Sequence, residues 1–190
     1  YGYWQLYALY VGYAGVFMLG FNDGVYLNYA GSHYDDELFR RFRTFRIVVF
    51  SLSIVGALPL VVLAGALDDV PKRMIVLAIV IYVLMAGSNG FCAYVNQSTL
   101  RFRQYTRGVI LERVSFLLVA LVMVGLHVGE FLWYMGASLV ACLALLVYNV
   151  MATRELFSGP RTRLRLLKGD IRRNFASGFA LMVAVLLNQS

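Results

Sequence analysis

Long apolar runs broken by short polar stretches set the pattern of this chain. The runs cover Tyr3–Tyr29, Ile47–Leu67, Met74–Val95, Gly108–Gly129 and Phe131–Ala152, and a further one opens at Phe175. Each of the first five reaches the roughly 20 residues that a helix needs to cross the hydrocarbon of a bilayer. Strands of a membrane barrel would be about half as long and would alternate apolar with polar positions, which these runs do not. The pattern predicts an all-α, polytopic membrane helical bundle with five complete transmembrane helices and the start of a sixth.

Charge gives that bundle an orientation. Of the 17 Lys and Arg residues, all but Lys72 and Arg73 fall into three clusters. These are Arg40, Arg41, Arg43 and Arg46; Arg101, Arg103, Arg107 and Arg113; and Arg154, Arg161, Arg163, Arg165, Lys168, Arg172 and Arg173. They occupy every second gap between runs. Short basic loops stay on the cytoplasmic side, so Ser32–Arg46, Asn96–Arg107 and Thr153–Asn174 are expected there. Asp68-Asp69-Val70-Pro71 and His127–Phe131 are expected outside. The chain is 61% hydrophobic, against about 45–50% for soluble domains. Its net charge of +7 does not point to nucleic acid, because the arginines adjoin apolar spans, where anionic membrane lipids are the natural partners.

The segment 153–174 is interrupted at Ser158-Gly159-Pro160, and Leu164, Leu166 and Leu167 alternate there with basic residues. It fits either an amphipathic helix lying on the membrane or a solvated connector between two bundles. Cys92 and Cys142 lie inside apolar runs with no CxxC or Cys/His companion, so neither a metal site nor a disulfide framework is expected. They read as small apolar fillers. Asn96-Gln97-Ser98, on the cytoplasmic side, and Asn188-Gln189-Ser190, within an apolar run, match the glycosylation triplet by accident. His33 stands in a loop and His127 at the outer membrane edge. No GxSxG, Walker A, HExxH or Rossmann glycine pattern occurs, so an enzyme and a cofactor are not expected. The chain opens on Tyr and its last run stops at Ser190, which reads as a piece of a larger protein.

Asp23 is the sharpest polar residue. A carboxylate within a span costs about 3 kcal/mol unless it faces protein, water or a counter-ion. On a continuous helix it shares a small-residue face with Gly20, Val16 and Gly12. It either lines a cavity that takes a cation, a proton or a substrate, or it pairs with Arg40–Arg46. Tyr3, Tyr7, Tyr10, Phe17 and Phe21 recur at helical steps, as packing and interfacial anchors do. Glu112 and Arg113 open the fourth span. The uncharged part, Val114–Gly129, makes about 24 Å of helix, short of the roughly 30 Å core. Turned inward, Arg113 suits a pyrophosphate; turned outward, it completes a surface ion pair. Gly87-Ser88-Asn89-Gly90 weakens the third span, and broken helices in transporters expose backbone to a site, which makes Asn89 a candidate. Pro59 is expected to kink the second span. Asn149 and Asn188 read as amides that bridge helices.

Two strings carry a family likeness. Tyr1-Gly2-Tyr3-Trp4-Gln5-Leu6-Tyr7, followed by Gly20-Phe21-Asn22-Asp23-Gly24-Val25-Tyr26-Leu27-Asn28-Tyr29-Ala30-Gly31, resembles the second-helix region of bacterial polysaccharide-biosynthesis (O-antigen type) flippases. These belong to the superfamily of multidrug, oligosaccharidyl-lipid and polysaccharide exporters. Gln97–Arg107 leading into Ile110-Leu111-Glu112-Arg113 is similar to that family's fourth-to-fifth helix loop, and Arg172-Arg173-Asn174-Phe175-Ala176-Ser177-Gly178-Phe179 to the start of its seventh helix. The resemblance implies helices 2 to early 7 of a transporter of twelve to fourteen helices in two lobes. It divides the chain into an N-terminal transmembrane lobe lacking its first helix (1–152), a cytoplasmic inter-lobe linker (153–174) and the start of the C-terminal lobe (175–190). It also implies a function: translocation of polyprenyl-pyrophosphate-linked oligosaccharide from the cytoplasmic to the outer leaflet of the bacterial inner membrane, by alternating access. A coupling ion, H+ or Na+, and a polysaccharide polymerase or export complex would be partners. Asn22 and Asp23 fall on the family motif; Arg113 as a pyrophosphate contact is an extrapolation from its chemistry. A drug or cation antiporter of the same superfamily is the alternative, with a membrane-embedded glycan polymerase or acyltransferase behind it.

Overall fold

In hydrocarbon a backbone amide has no water to bond, so a membrane-length apolar run closes its hydrogen bonds within itself as a helix. The computed structural model describes residues 2–32 and 35–188. It contains α1 (Gly2–Gly12), a 3-10 turn (Ala14–Met18), α2 (Phe21–Tyr29), α3 (Asp36–Ala66) and α4 (Val70–Ser98). There follow α5 (Phe102–Gly125), α6 (Phe131–Ala152), α7 (Arg154–Phe157), a second 3-10 turn (Leu164–Leu167) and α8 (Lys168–Asn188). No strand occurs among the described residues. Helices α3, α4, α5 and α6 are long and apolar enough to cross a membrane, as in a multi-pass membrane protein. Their outward faces are apolar as well: Val62 is 73% exposed and Leu121 57%. Of α5, only Gly108 is buried.

Helix α6 coincides with its apolar run, but others start earlier than expected. Asp35 caps α3, its carboxylate accepting the Glu37 amide at 3.3 Å, and Asp36 and Glu37 sit at the positive end of the helix. The first arginine cluster therefore rides on a helical extension, not in a loop. Helix α4 begins at Val70, capped by Asp69 with Pro71 in its first turn. A 3.0 Å contact with Lys72 and the hydrogen bond it carries hold the Asp69 carboxyl below its ordinary pKa.

The first run is not one helix, so the expectation of five continuous spans is corrected. Gly12 and Gly15 weaken helical order, and the helix is broken at Leu19 (φ 49°) and Gly20 (φ 72°), both left-handed. Gly12, Val16, Gly20 and Asp23 consequently share no helical face. Lacking a Cβ, Gly20 can come up against the Gly178 backbone, and Gly24 against Asn174. These close approaches seat α2 on α8, where Asn28 also donates to Asn174 and to Ser177, both at 2.9 Å. The third run reverses expectation in the other direction. Helix α4 continues through Gly87-Ser88-Asn89-Gly90; its glycines clear room for Ser53 and Met18 at Gly87 and for Asn22 at Gly90.

The segment after α6 is neither a surface helix nor a free connector. Residues 158–163 lie along the arginine extension of α3: Thr162 N donates to Arg40 O at 3.2 Å, and Thr44 Oγ1 to Thr162 O at 2.7 Å. Arg43 Nη1 donates to Pro160 O at 2.9 Å. Leu156 and Leu167 bury themselves beside Phe39, Phe42, Phe45 and Phe91. A second core gathers Tyr7, Ile75, Ile79, Val83 and Met135.

Candidate functional site

The break at Gly20 starts α2 afresh inside the bundle, so its first turn presents Asn22 and Asp23 to the interior. Asp23 accepts a hydrogen bond from the Tyr94 hydroxyl at 2.6 Å and stands in the first turn of α2. It forms no ion pair among the described residues, so of the two alternatives the pairing with Arg40–Arg46 is not seen there. Asn22 is buried, and its Oδ1 has no hydrogen-bond partner among the described residues. Asn22, Asp23 and Tyr94, with Met18, Ala86 and Gly90, line a cavity of about 180 Å³. That is room for several waters beside polar atoms able to hold them.

Glu112 and Arg113 lie mid-way along α5, about 15 Å from its first residue, not at its opening as the run length implied. With Trp4, Tyr7, Tyr82, Phe116 and Ser138 they line a second cavity, of about 210 Å³. Trp4 stacks on Phe116 with ring centres 6.1 Å apart, and the Tyr7 hydroxyl donates to Ser138 Oγ at 3.2 Å. Neither Glu112 nor Arg113 forms an ion pair among the described residues. The two cavities share Val11 and Tyr82, so they meet at that pair of side chains.

Asn89 stands apart. Buried between α4 and α6, it donates to Cys142 O at 3.0 Å and accepts from Asn149 Nδ2 at 3.0 Å. It lines neither cavity, and its amide is taken up in joining helices. Asn149 has the bridging role expected of it; the side chain of Asn188, like His33, Gln189 and Ser190, lies outside the described residues. Asn96, whose triplet was discounted, is buried in the last turn of α4. Cys92 and Cys142 are buried free thiols. The aromatic stripe of the first run divides: Tyr7 and Phe21 are buried, whereas Tyr3 and Tyr10 are exposed.

Sequence reasoning missed Tyr94 and Tyr82. A signal existed: Tyr82, Ala86, Gly90 and Tyr94 recur every four residues, which puts two hydroxyl-bearing rings and the small residues between them on one face of α4. As chemistry, the arrangement offers a guanidinium whose planar donors match phosphate oxygens, carboxylates able to take a cation or proton, and aromatic surfaces between them. Comparison of the chain with protein-family models, curated protein sequences and solved structures finds no match.

Proposed function

We propose that the chain is part of a bacterial inner-membrane transporter that carries polyprenyl-pyrophosphate-linked oligosaccharide from the cytoplasmic to the outer leaflet by alternating access. The observation that carries this reading is the pair of polar cavities meeting at Tyr82, one with Arg113 and the other with Asn22 and Asp23. In this reading Arg113 holds the pyrophosphate. Asn22 offers its unbonded carbonyl to sugar hydroxyls, and Asp23 binds the coupling H+ or Na+. The α1–turn–α2 segment acts as one discontinuous span whose broken backbone faces the site, and α8 opens another, which restores a count of five spans and the start of a sixth. A polymerase or export complex would receive the flipped glycan.

The test is translocation of lipid-linked oligosaccharide by the protein in liposomes. A hydrogen bond to a charged group contributes about 1.5–3 kcal/mol, so Arg113→Gln should slow translocation roughly tenfold or more; Asp23→Asn should uncouple it from the ion gradient. Unchanged translocation by Arg113→Gln at normal protein levels would remove the pyrophosphate reading. Trp4, Phe116 and Tyr82 beside Glu112 favour a second reading, a cation antiporter, since aromatic faces and a carboxylate attract cations. Arg113 then repels the substrate, and the same substitution should speed transport of a lipophilic cation.

A further inference from the structure

Arg46 is set apart from the other arginines of its cluster by its surroundings. Its guanidinium lies 4.5 Å over the Phe157 ring, a cation–π contact that fixes one face. Its Nε is enclosed without a hydrogen-bond partner among the described residues, so that edge has lost water and gained nothing in return. Arg161 is near enough to repel it electrostatically. Neither arginine has an ion pair among the described residues. The connector's carboxylates are engaged elsewhere: Glu155 sits 3.8 Å from Arg101 and Asp170 3.4 Å from Arg41.

The backbone that carries Arg161 is tied to the same stretch of α3 as Arg46. The neighbours of Arg161 on both sides are bonded to α3, Pro160 by Arg43 and Thr162 by Arg40 and Thr44. Gly159 reaches this position with φ 107°, where a Cβ would stand 3.0 Å from the Arg43 guanidinium carbon. The fold therefore roots two positive side chains on neighbouring stretches of backbone, with no acid paired to either among the described residues.

Depth selects the anion. Ile47–Ala66, the apolar remainder of α3 after Arg46, makes about 30 Å of helix, the thickness of the hydrocarbon. Phe50, Val55, Leu58 and Val62 turn outward along it. Arg46 thus stands where that hydrocarbon gives way to headgroups. We propose that Arg46 and Arg161 together bind the phosphate of a single anionic phospholipid, which joins the connector to α3. The inference is independent of what the protein transports.

Native mass spectrometry of the protein released from detergent micelles, with phosphatidylglycerol or phosphatidylcholine added, tests it. The wild-type protein should retain one phosphatidylglycerol molecule preferentially. Arg161→Gln and Arg46→Gln should each weaken that retention about tenfold, as loss of one charged hydrogen bond implies. Arg165→Gln, which removes the same charge from the connector outside the site, should leave it unchanged. Arg161 is exposed, so its variant carries the test even if Arg46→Gln does not fold. Equal weakening by Arg165→Gln, equal retention of phosphatidylcholine, or displacement of the lipid by millimolar inorganic phosphate would each overturn the proposal.

Discussion

A buried amide in lipid has few ways to satisfy its hydrogen bonds, and Asn89 uses two neighbours, Cys142 and Asn149. Interhelical hydrogen bonds of this kind contribute about 0.6 kcal/mol on average and up to about 1.7. Asn89→Leu should therefore destabilise the α4–α6 pair by about 1–2 kcal/mol in a detergent unfolding titration. Asn149→Leu on top of it should add little, because the bond is already gone; full additivity would show the two amides to be energetically unlinked. Asp23 was legible in the sequence because a carboxylate within an apolar run is conspicuous by composition alone. Its partner was not: Tyr94 is one of 13 tyrosines, and only the folded chain selects it. Asn89 drew notice for the right reason, an unusual amide between glycines, but nothing local says whether such an amide faces a ligand or another helix.

Helix lengths were legible where polar residues bracket both ends, as Glu130 and Thr153 bracket α6. They were misjudged where charge imitates a loop. Arginine is a good helix former, and a capping Asp35 is enough to carry α3 back through the whole first cluster. The left-handed pair Leu19–Gly20 leaves no trace in hydropathy, since both residues belong equally well to a continuous span. What glycine contributes there is proximity, and this can be measured. A Cβ at Gly24 would collide with the Asn174 backbone, whereas one at Gly136 meets nothing within 4 Å. Gly24→Ala should cost about 1–3 kcal/mol by overpacking and lower the thermal midpoint in detergent. Gly136→Ala should be neutral or should raise it through helix propensity. Equal midpoints for the two variants would refute close α2–α8 packing.

The bundle as a whole presents apolar faces outward and gathers its arginines beside the connector, and positive loops remain on the side of synthesis. Single cysteines at Gly129 and Arg165, introduced into a background whose two native thiols are buried, should report this. A membrane-impermeant maleimide applied to intact cells should label the first, and should reach the second only after lysis. Labelling of both in intact cells would remove the orientation. The all-helical, membrane-spanning class could be read from sequence because it rests on sums over many residues; the cavities could not, because they depend on which few side chains the break at Gly20 turns inward.

The arginine stub of α3 protrudes about 16 Å beyond the hydrocarbon and continues into the span without interruption. It can serve as a lever: torque applied at the stub turns the buried rod with it. Pro59 cannot donate a backbone hydrogen bond and so softens the rod at that point.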